Sequence, residues 1–198
     1  MQQVCLLFFE MGDEMRRKNS EKTREMVISA LCLALALLLP FLTGQIREIG
    51  NMLCPMHLPI FLCAFVCSWK WAGAIGAAAP ILRSAIWGMP MMMPMAVSMM
   101  FELAAYGITA SVIYRRLPKK PQSIYVALVI AMLCGRLVWG AAAGVFYGLA
   151  GTAFTMQIFI AGAFINAIPG IILQVIIVPV LVLALEKAGV SANTLREI

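Results

Sequence analysis

The sequence has few charged residues: Asp, Glu, Lys and Arg make up 12% of its 198 residues, whereas 63% are hydrophobic. A soluble domain carries about 25% charged and about 45–50% apolar residues. A soluble globule of this length would therefore lack the polar side chains to cover its surface. The same composition excludes a disordered chain, a disulfide-rich secreted scaffold and a collagen-like fibre. With a mean hydropathy of +0.93, the composition indicates an integral membrane protein.

Motifs for catalysis, metal binding and ATP hydrolysis are also missing. There is no GxxxxGK[ST] phosphate loop, no HExxH and no CxxC, and the only Asp is Asp13. No stretch interleaves basic and aromatic residues, as a nucleic-acid surface would. We therefore expect neither an enzyme nor a nucleic-acid-binding protein, and the sequence indicates no catalytic residue, no cofactor and no metal site.

Long apolar segments predict the fold. The stretch from Leu137 to Leu185 contains no Asp, Glu, Lys or Arg, and about 20 apolar residues suffice to cross a bilayer. Prolines inside such a span are tolerated where neighbouring helices satisfy the freed carbonyls. We predict an all-α integral membrane protein, a bundle of six transmembrane helices at approximately residues 26–42, 59–67, 71–86, 95–114, 123–147 and 157–185.

Basic residues predict the orientation, because cytoplasmic loops are enriched in Lys and Arg. With six spans and the N-terminus inside, only Arg47 falls in an outer loop, and both termini are cytoplasmic. The predicted organisation is a cytoplasmic N-terminal extension (1–22), a transmembrane substrate-binding domain (23–188) and a cytoplasmic tail (189–198). Twelve basic residues lie on the inner side: Arg16, Arg17, Lys18, Lys22, Arg24, Lys70, Arg115, Arg116, Lys119, Lys120, Lys187 and Arg196.

Several polar residues fall within the predicted spans, where an ionisable side chain costs about 2.5–3.5 kcal/mol and points to function. At a rise of about 1.5 Å per residue, they lie at similar depths in the outer half of the membrane. Such a layer indicates a small-molecule pocket, although a buried Glu102–Arg136 pair that only fixes helix packing remains the alternative. Neighbouring aromatic residues would share the faces of Glu102 and Arg136 at helical spacing. The candidate substrate-binding residues are Arg83, Glu102, Tyr106, Arg136, Trp139 and Asn166.

Small residues at four-residue spacing indicate close helix contacts. Gly140, Gly144 and Gly148 favour packing inside the molecule. For Ala30 and Ala34, internal packing and docking to a partner protein are equally open.

Methionines cluster between Met89 and Met100. Thioethers can bind Cu(I), but methionines also form adaptable apolar surfaces, and we favour such a surface. For the single His57, in a loop bracketed by prolines, a structural role is favoured over a ligand-binding one.

Particular motifs resemble the substrate-binding S component of energy-coupling factor (ECF) vitamin transporters, over approximately residues 23–187. The similarity lies in the basic start Lys22-Thr-Arg-Glu before Ala30-x-x-x-Ala34 and in Cys54-Pro-Met-His-Leu-Pro59. It extends to Pro80-Ile-Leu-Arg-Ser84 with Gly88-Met-Pro90, and to Phe101-Glu-Leu-Ala-Ala-Tyr-Gly107. The chain departs from the family pattern at Ser68-Trp-Lys70, where a glycine is usual.

The resemblance implies a six-helix bundle that binds a small-molecule vitamin from outside. Its partners would be membrane lipid, a transmembrane coupling subunit and two cytoplasmic ATPase subunits. Ala30 and Ala34 would dock to the coupling subunit, and the 43–57 and 87–94 loops would cap the pocket. The corresponding gating residues are Asn51, His57, Trp87 and Met91.

The ligand itself is not identified by these motifs. Two intramembrane arginines, Arg83 and Arg136, against one glutamate favour an anion such as pantothenate. Two other classes remain open: a Met-rich copper transporter, and a stand-alone carrier, which should show the internal repeats that this sequence lacks. A plasma-membrane location is expected for all three.

Overall fold

The fold is all-helical, as the apolar segments predict. A computed structural model describes residues 2–42, 55–118, 120–151 and 155–190, and within these ranges there is no strand. Two five-residue π-type turns lie at Met92–Ala96 and Ala161–Ile165. The helices are α1 (Gln2–Leu42), α2 (His57–Val66), α3 (Trp69–Trp87), α4 (Val97–Arg116), α5 (Pro121–Leu149), α6 (Met156–Ile160) and α7 (Ile168–Lys187).

The predicted number of six spans is not confirmed. In the described ranges, four helical stretches are long and apolar enough to cross a membrane: Asn19–Phe41, Met92–Arg116, Pro121–Leu149 and Ile168–Lys187. Helix α2 has only ten residues, about 15 Å at the helical rise. Helix α3 has 19 residues, but it contains Lys70, Arg83 and three tryptophans, which make it less apolar than the other long helices.

Two predicted helix boundaries are wrong. Helix α1 begins at Gln2 instead of near residue 26, because residues 2–39 contain no proline and only one glycine, and are rich in the helix formers Glu, Met, Arg and Lys. The predicted sixth helix is divided between α6 and α7. The division places Pro169 in the first turn of α7, where its missing N–H breaks no helical hydrogen bond.

Helix α4 lies at the centre of the bundle and packs against α2, α3 and α5. Glycines allow its backbone to touch that of α3. A Cβ at Gly76 would lie 2.3 Å from the carbonyl oxygen of Leu103, and one at Gly107 would lie 2.5 Å from that of Ala72. The backbones of the two helices therefore touch where they cross. This contact sets the position of α4, and of its side chains, within the bundle.

Hydrogen bonds connect the helices at the end of the bundle that carries the basic residues. The carboxylate of Glu25 on α1 accepts hydrogen bonds from the backbone N–H (3.0 Å) and hydroxyl (2.7 Å) of Ser68, the residue before α3. Arg115 of α4 donates to the carbonyl oxygen of Cys67 at 2.7 Å. These contacts tie α1, the α2–α3 turn and α4 together on one side of the bundle.

Much of the outer surface is apolar, as expected for helices that face lipid. Leu133 and Leu137 of α5 and Ile172 and Ile176 of α7 are all more than half exposed. The polar side chains that the bundle buries lie inside it, in the arrangement described next.

Candidate functional site

A buried carboxylate forms the centre of the candidate site. Glu102 of α4 is 1% exposed. Its Oε1 lies 2.9 Å from Nη1 of Arg136 on α5 and accepts a hydrogen bond of 2.8 Å from the Tyr106 hydroxyl. The structure therefore brings together three of the six predicted substrate-binding residues. It also forms the Glu102–Arg136 ion pair, the structural alternative to a pocket.

A glycine on α5 makes this contact geometrically possible. Tyr106 follows Glu102 by four residues, so both side chains lie on one face of α4. The Tyr106 ring lies directly on Gly135, where an added Cβ would come within 2.2 Å of Cε1. The next residue, Arg136, can thus extend its guanidinium to the carboxylate that the tyrosine already binds. The Gly135-Arg136 pair is a signal that sequence reasoning missed.

Aromatic rings from α2 complete the wall around Tyr106. The ring centroids of Phe61 and His57 lie 5.1 Å and 5.4 Å from that of Tyr106. Both contacts are tilted, a common arrangement for aromatic pairs. Residues of α2, α4 and α5 therefore form one cluster, which we call the Glu102 cluster: Glu102, Arg136, Tyr106, His57 and Phe61.

His57 does not lie in an outer loop, contrary to the sequence interpretation. It is the first residue of α2 and is 3% exposed. Its Nε2 is 3.9 Å from Oε1 of Glu102, which is beyond hydrogen-bond distance. Neither ring nitrogen has a hydrogen-bond partner among the described residues. Such an unsatisfied buried group calls for an explanation, because most buried polar atoms are paired.

Arg83 does not join the Glu102 cluster. It is buried on α3, donates a hydrogen bond of 3.2 Å to the carbonyl oxygen of Leu37, and lies 5.8 Å from the Phe41 ring centroid. Both contacts lie in the last turns of α1, whose C-terminal end carries partial negative charge and attracts a cation. Arg83 therefore joins α3 to α1.

The other two candidates lie farther along the chain. The half-buried Trp139 ring stacks at 6.1 Å on Phe159 of α6, and a Cβ added at Gly162 would lie 2.9 Å from it. Asn166 is exposed in the bend before α7. Of these two, only Trp139 lies within the packed bundle.

Two of the predicted gating residues are on the surface. Trp87, at the end of α3, is 37% exposed and makes an edge-to-face contact of 5.1 Å with Phe41. Met91 is 66% exposed. Asn51 lies outside the described residues.

The two alanines proposed for docking lie on an open face of α1. Ala30 and Ala34 are both exposed, whereas Ala36, further along the same helix, is completely buried. Leu31 and Leu38, close to these alanines on α1, are also exposed. Packing inside the described part of the bundle therefore does not explain the small residues at 30 and 34.

Among the described residues, no group of three or more His, Cys, Asp or Glu side chains could hold a metal ion. The Glu102 cluster instead presents one balanced ion pair, a phenol and an imidazole within an aromatic wall. That set can bind a small polar molecule by hydrogen bonds and ring contacts.

Comparison with known proteins gives one match. The family model for the substrate-specific component of ECF transporters matches residues 24–182. No curated protein and no solved structure matches the chain.

Proposed function

The chain belongs to the family of substrate-specific components of ECF transporters, and from this membership we propose that it captures a water-soluble vitamin or related micronutrient. Members of this family are membrane-embedded transporter subunits and not enzymes. Together with its apolar helices, the membership makes this chain a multi-pass membrane protein. Capture would take place at the plasma membrane, from outside the cell.

The Glu102 cluster carries the proposal. A bilayer-embedded bundle gains nothing from burying a carboxylate and a guanidinium unless they are paired, and even then an apolar replacement is often as stable. Here the pair sits with Tyr106 and the unpaired His57 at the junction of three helices. A binding site for a polar small molecule would explain why these charged and polar groups are buried despite the free-energy cost.

The expectation of an anionic vitamin such as pantothenate is not confirmed. It depended on an excess of arginine over glutamate around the ligand. Glu102 neutralises Arg136 at 2.9 Å, and Arg83 contacts α1 instead. The charge of the Glu102 cluster therefore does not favour an anion.

The family implies partnership with an ECF module, which comprises a transmembrane subunit and ATPase subunits. We propose that the exposed face of α1 around Ala30 and Ala34 contacts the transmembrane coupling subunit, and that two ATPases power transport. Small exposed residues allow a partner helix to approach closely in a membrane. No observation among the described residues favours the copper transporter or the stand-alone carrier.

Reconstitution into liposomes tests the proposal. The chain would be assembled with the coupling subunit and both ATPases, and uptake of a panel of radiolabelled vitamins measured with ATP inside. We expect uptake of one vitamin with the complete assembly, and none with the chain alone or with ATPases that cannot hydrolyse ATP. Uptake by the chain alone would support a stand-alone carrier, and Cu(I) uptake without vitamin uptake would support a metal transporter.

A further inference from the structure

His57 is a buried polar residue without an assigned role. It is 3% exposed, and among the described residues its ring nitrogens are the only buried side-chain nitrogen or oxygen atoms that lack a hydrogen-bond partner. A neutral imidazole has one N–H donor and one acceptor nitrogen. A purely structural position beside Tyr106 would be filled equally well by phenylalanine, which has no polar atoms to leave unsatisfied.

The groups that face His57 already balance one another's charge. On α4 these are Glu102 and Tyr106, and on α5 the partner of the carboxylate is Arg136. The Glu102 carboxylate is held by Arg136 at 2.9 Å and by Tyr106 at 2.8 Å. From α3, the buried Arg83 points to the end of α1. A net charge brought into the Glu102 cluster would therefore find no free counter-charge within that cluster, and burying it there would be costly.

We propose that the ligand captured by this site carries no net charge at neutral pH and is recognised by a hydrogen bond with His57. This inference rests on the proposed function and specifies the chemical class of its ligand. Glu102 of the ion pair holds the Tyr106 hydroxyl, while the imidazole has a donor and an acceptor that no described residue uses. An uncharged ligand with amide, hydroxyl or ring-nitrogen groups can form hydrogen bonds with that donor and acceptor.

The test begins with the small molecules that remain bound to the purified protein. The full chain is produced in cells grown in rich medium, purified in mild detergent and extracted, and the extract is analysed by mass spectrometry. We expect one enriched molecule that is uncharged at pH 7. An enriched anion or cation would overturn the inference, although it would leave the proposed function standing.

Two variants at position 57 test the role of the imidazole. His57→Phe keeps a ring against Tyr106 but removes both polar nitrogens, and we expect it to retain roughly tenfold less ligand. His57→Gln keeps one donor group and one acceptor and should retain most of it. Equal retention by wild type and a folded His57→Phe would overturn the inference. If His57→Phe does not fold, the charge of the ligand bound to the wild-type protein still tests the inference.

Matched pairs of an acid and its uncharged analogue complete the test. Thermal unfolding of the wild-type protein is measured with nicotinate and nicotinamide, pantothenate and pantothenol, and biotin and biotinamide. We expect that any member that raises the Tm is the uncharged one, and a higher Tm with the acid would contradict the inference. If no molecule co-purifies and no member of the panel binds, the proposed function itself fails, and this inference fails with it.

Discussion

Glu102 illustrates how a single residue can determine the character of a membrane-embedded site. Its carboxylate would be intolerable in a bilayer without partners, and it is held by a guanidinium and a phenol from two different helices. Removing either charged partner leaves the other buried without the opposite charge that now lies 2.9 Å away. Replacing both with apolar side chains leaves no buried charge, but it also removes the polar groups of the candidate site.

This coupling gives a prediction for the pair. Glu102→Met or Arg136→Met alone should lower the free energy of unfolding by about 3–5 kcal/mol, the range for breaking a buried ion pair. The double variant should recover much of that loss, because no lone charge remains. Denaturant unfolding of the purified protein in detergent measures all three. Strictly additive losses would show that the two side chains are not energetically coupled.

The same residues show how much of the site the sequence could predict. Four-residue spacing and similar depth in the membrane are enough to predict that Glu102, Tyr106 and Arg136 lie in the same site. Equal depth did not suffice for Arg83 and Asn166, because depth does not specify the direction in which a side chain leaves its helix. Arg83 faces α1, and Asn166 is exposed. His57 was misplaced because the prolines beside it resemble a loop signal.

At the scale of elements, the crossing of α3 and α4 sets the position of Glu102. Gly76 and Gly107 each face a backbone carbonyl of the opposite helix at a distance that no side chain would permit. A Cβ added at either glycine would force the backbone of the opposite helix to move, because that backbone is rigid. The crossing would then open and shift α4 against α5.

Alanine substitutions test this crossing. Gly76→Ala and Gly107→Ala should each lower the free energy of unfolding by about 1–3 kcal/mol through overpacking. Gly148→Ala is the matched control, because nothing lies within 4 Å of its added Cβ. It should be neutral or stabilise α5 by up to about 1 kcal/mol, the difference in helix propensity. Thermal unfolding in detergent compares them, and equal effects at all three positions would contradict the crossing.

Sequence reasoning identified the helices better than their ends. Apolar runs predicted α4 and α5 to within a few residues, because lipid-facing and buried surfaces are both apolar. The early start of α1 was missed because its first residues are polar, although their helix propensity is high. The division between α6 and α7 was missed because hydropathy alone does not register where Pro169 can be accommodated.

At the scale of the whole molecule, an apolar surface surrounds a mostly apolar core that encloses the polar Glu102 cluster. Methionines between α3 and α4 are exposed, with Met91 at 66%, Met92 at 43% and Met93 at 49%. Flexible thioether side chains suit a lid that closes over ligands of variable shape.

A lid makes a kinetic prediction. If these methionines form a lid, replacing Met91, Met92 and Met93 by serine should raise the ligand off-rate several-fold, because the variant lacks the apolar cover. The Tm should stay nearly unchanged, because the three side chains are exposed. Stopped-flow release of the co-purified ligand measures the off-rate. If silver ions bind the wild type at micromolar affinity and no longer bind the triple variant, a soft-metal site would replace the lid.

We propose that the protein captures its ligand inside the bundle and contacts the coupling subunit with a separate face, the exposed side of α1. The most direct measurement compares ligand affinity with ATP-driven uptake for Ala30→Leu and Ala34→Leu, with Ala36→Leu as the buried control. Added bulk at the exposed positions should leave folding and affinity intact and abolish uptake. At Ala36 it should destabilise the protein by about 1–3 kcal/mol through overpacking. Normal uptake by the Ala30→Leu and Ala34→Leu variants, or loss of affinity together with uptake, would contradict the claim.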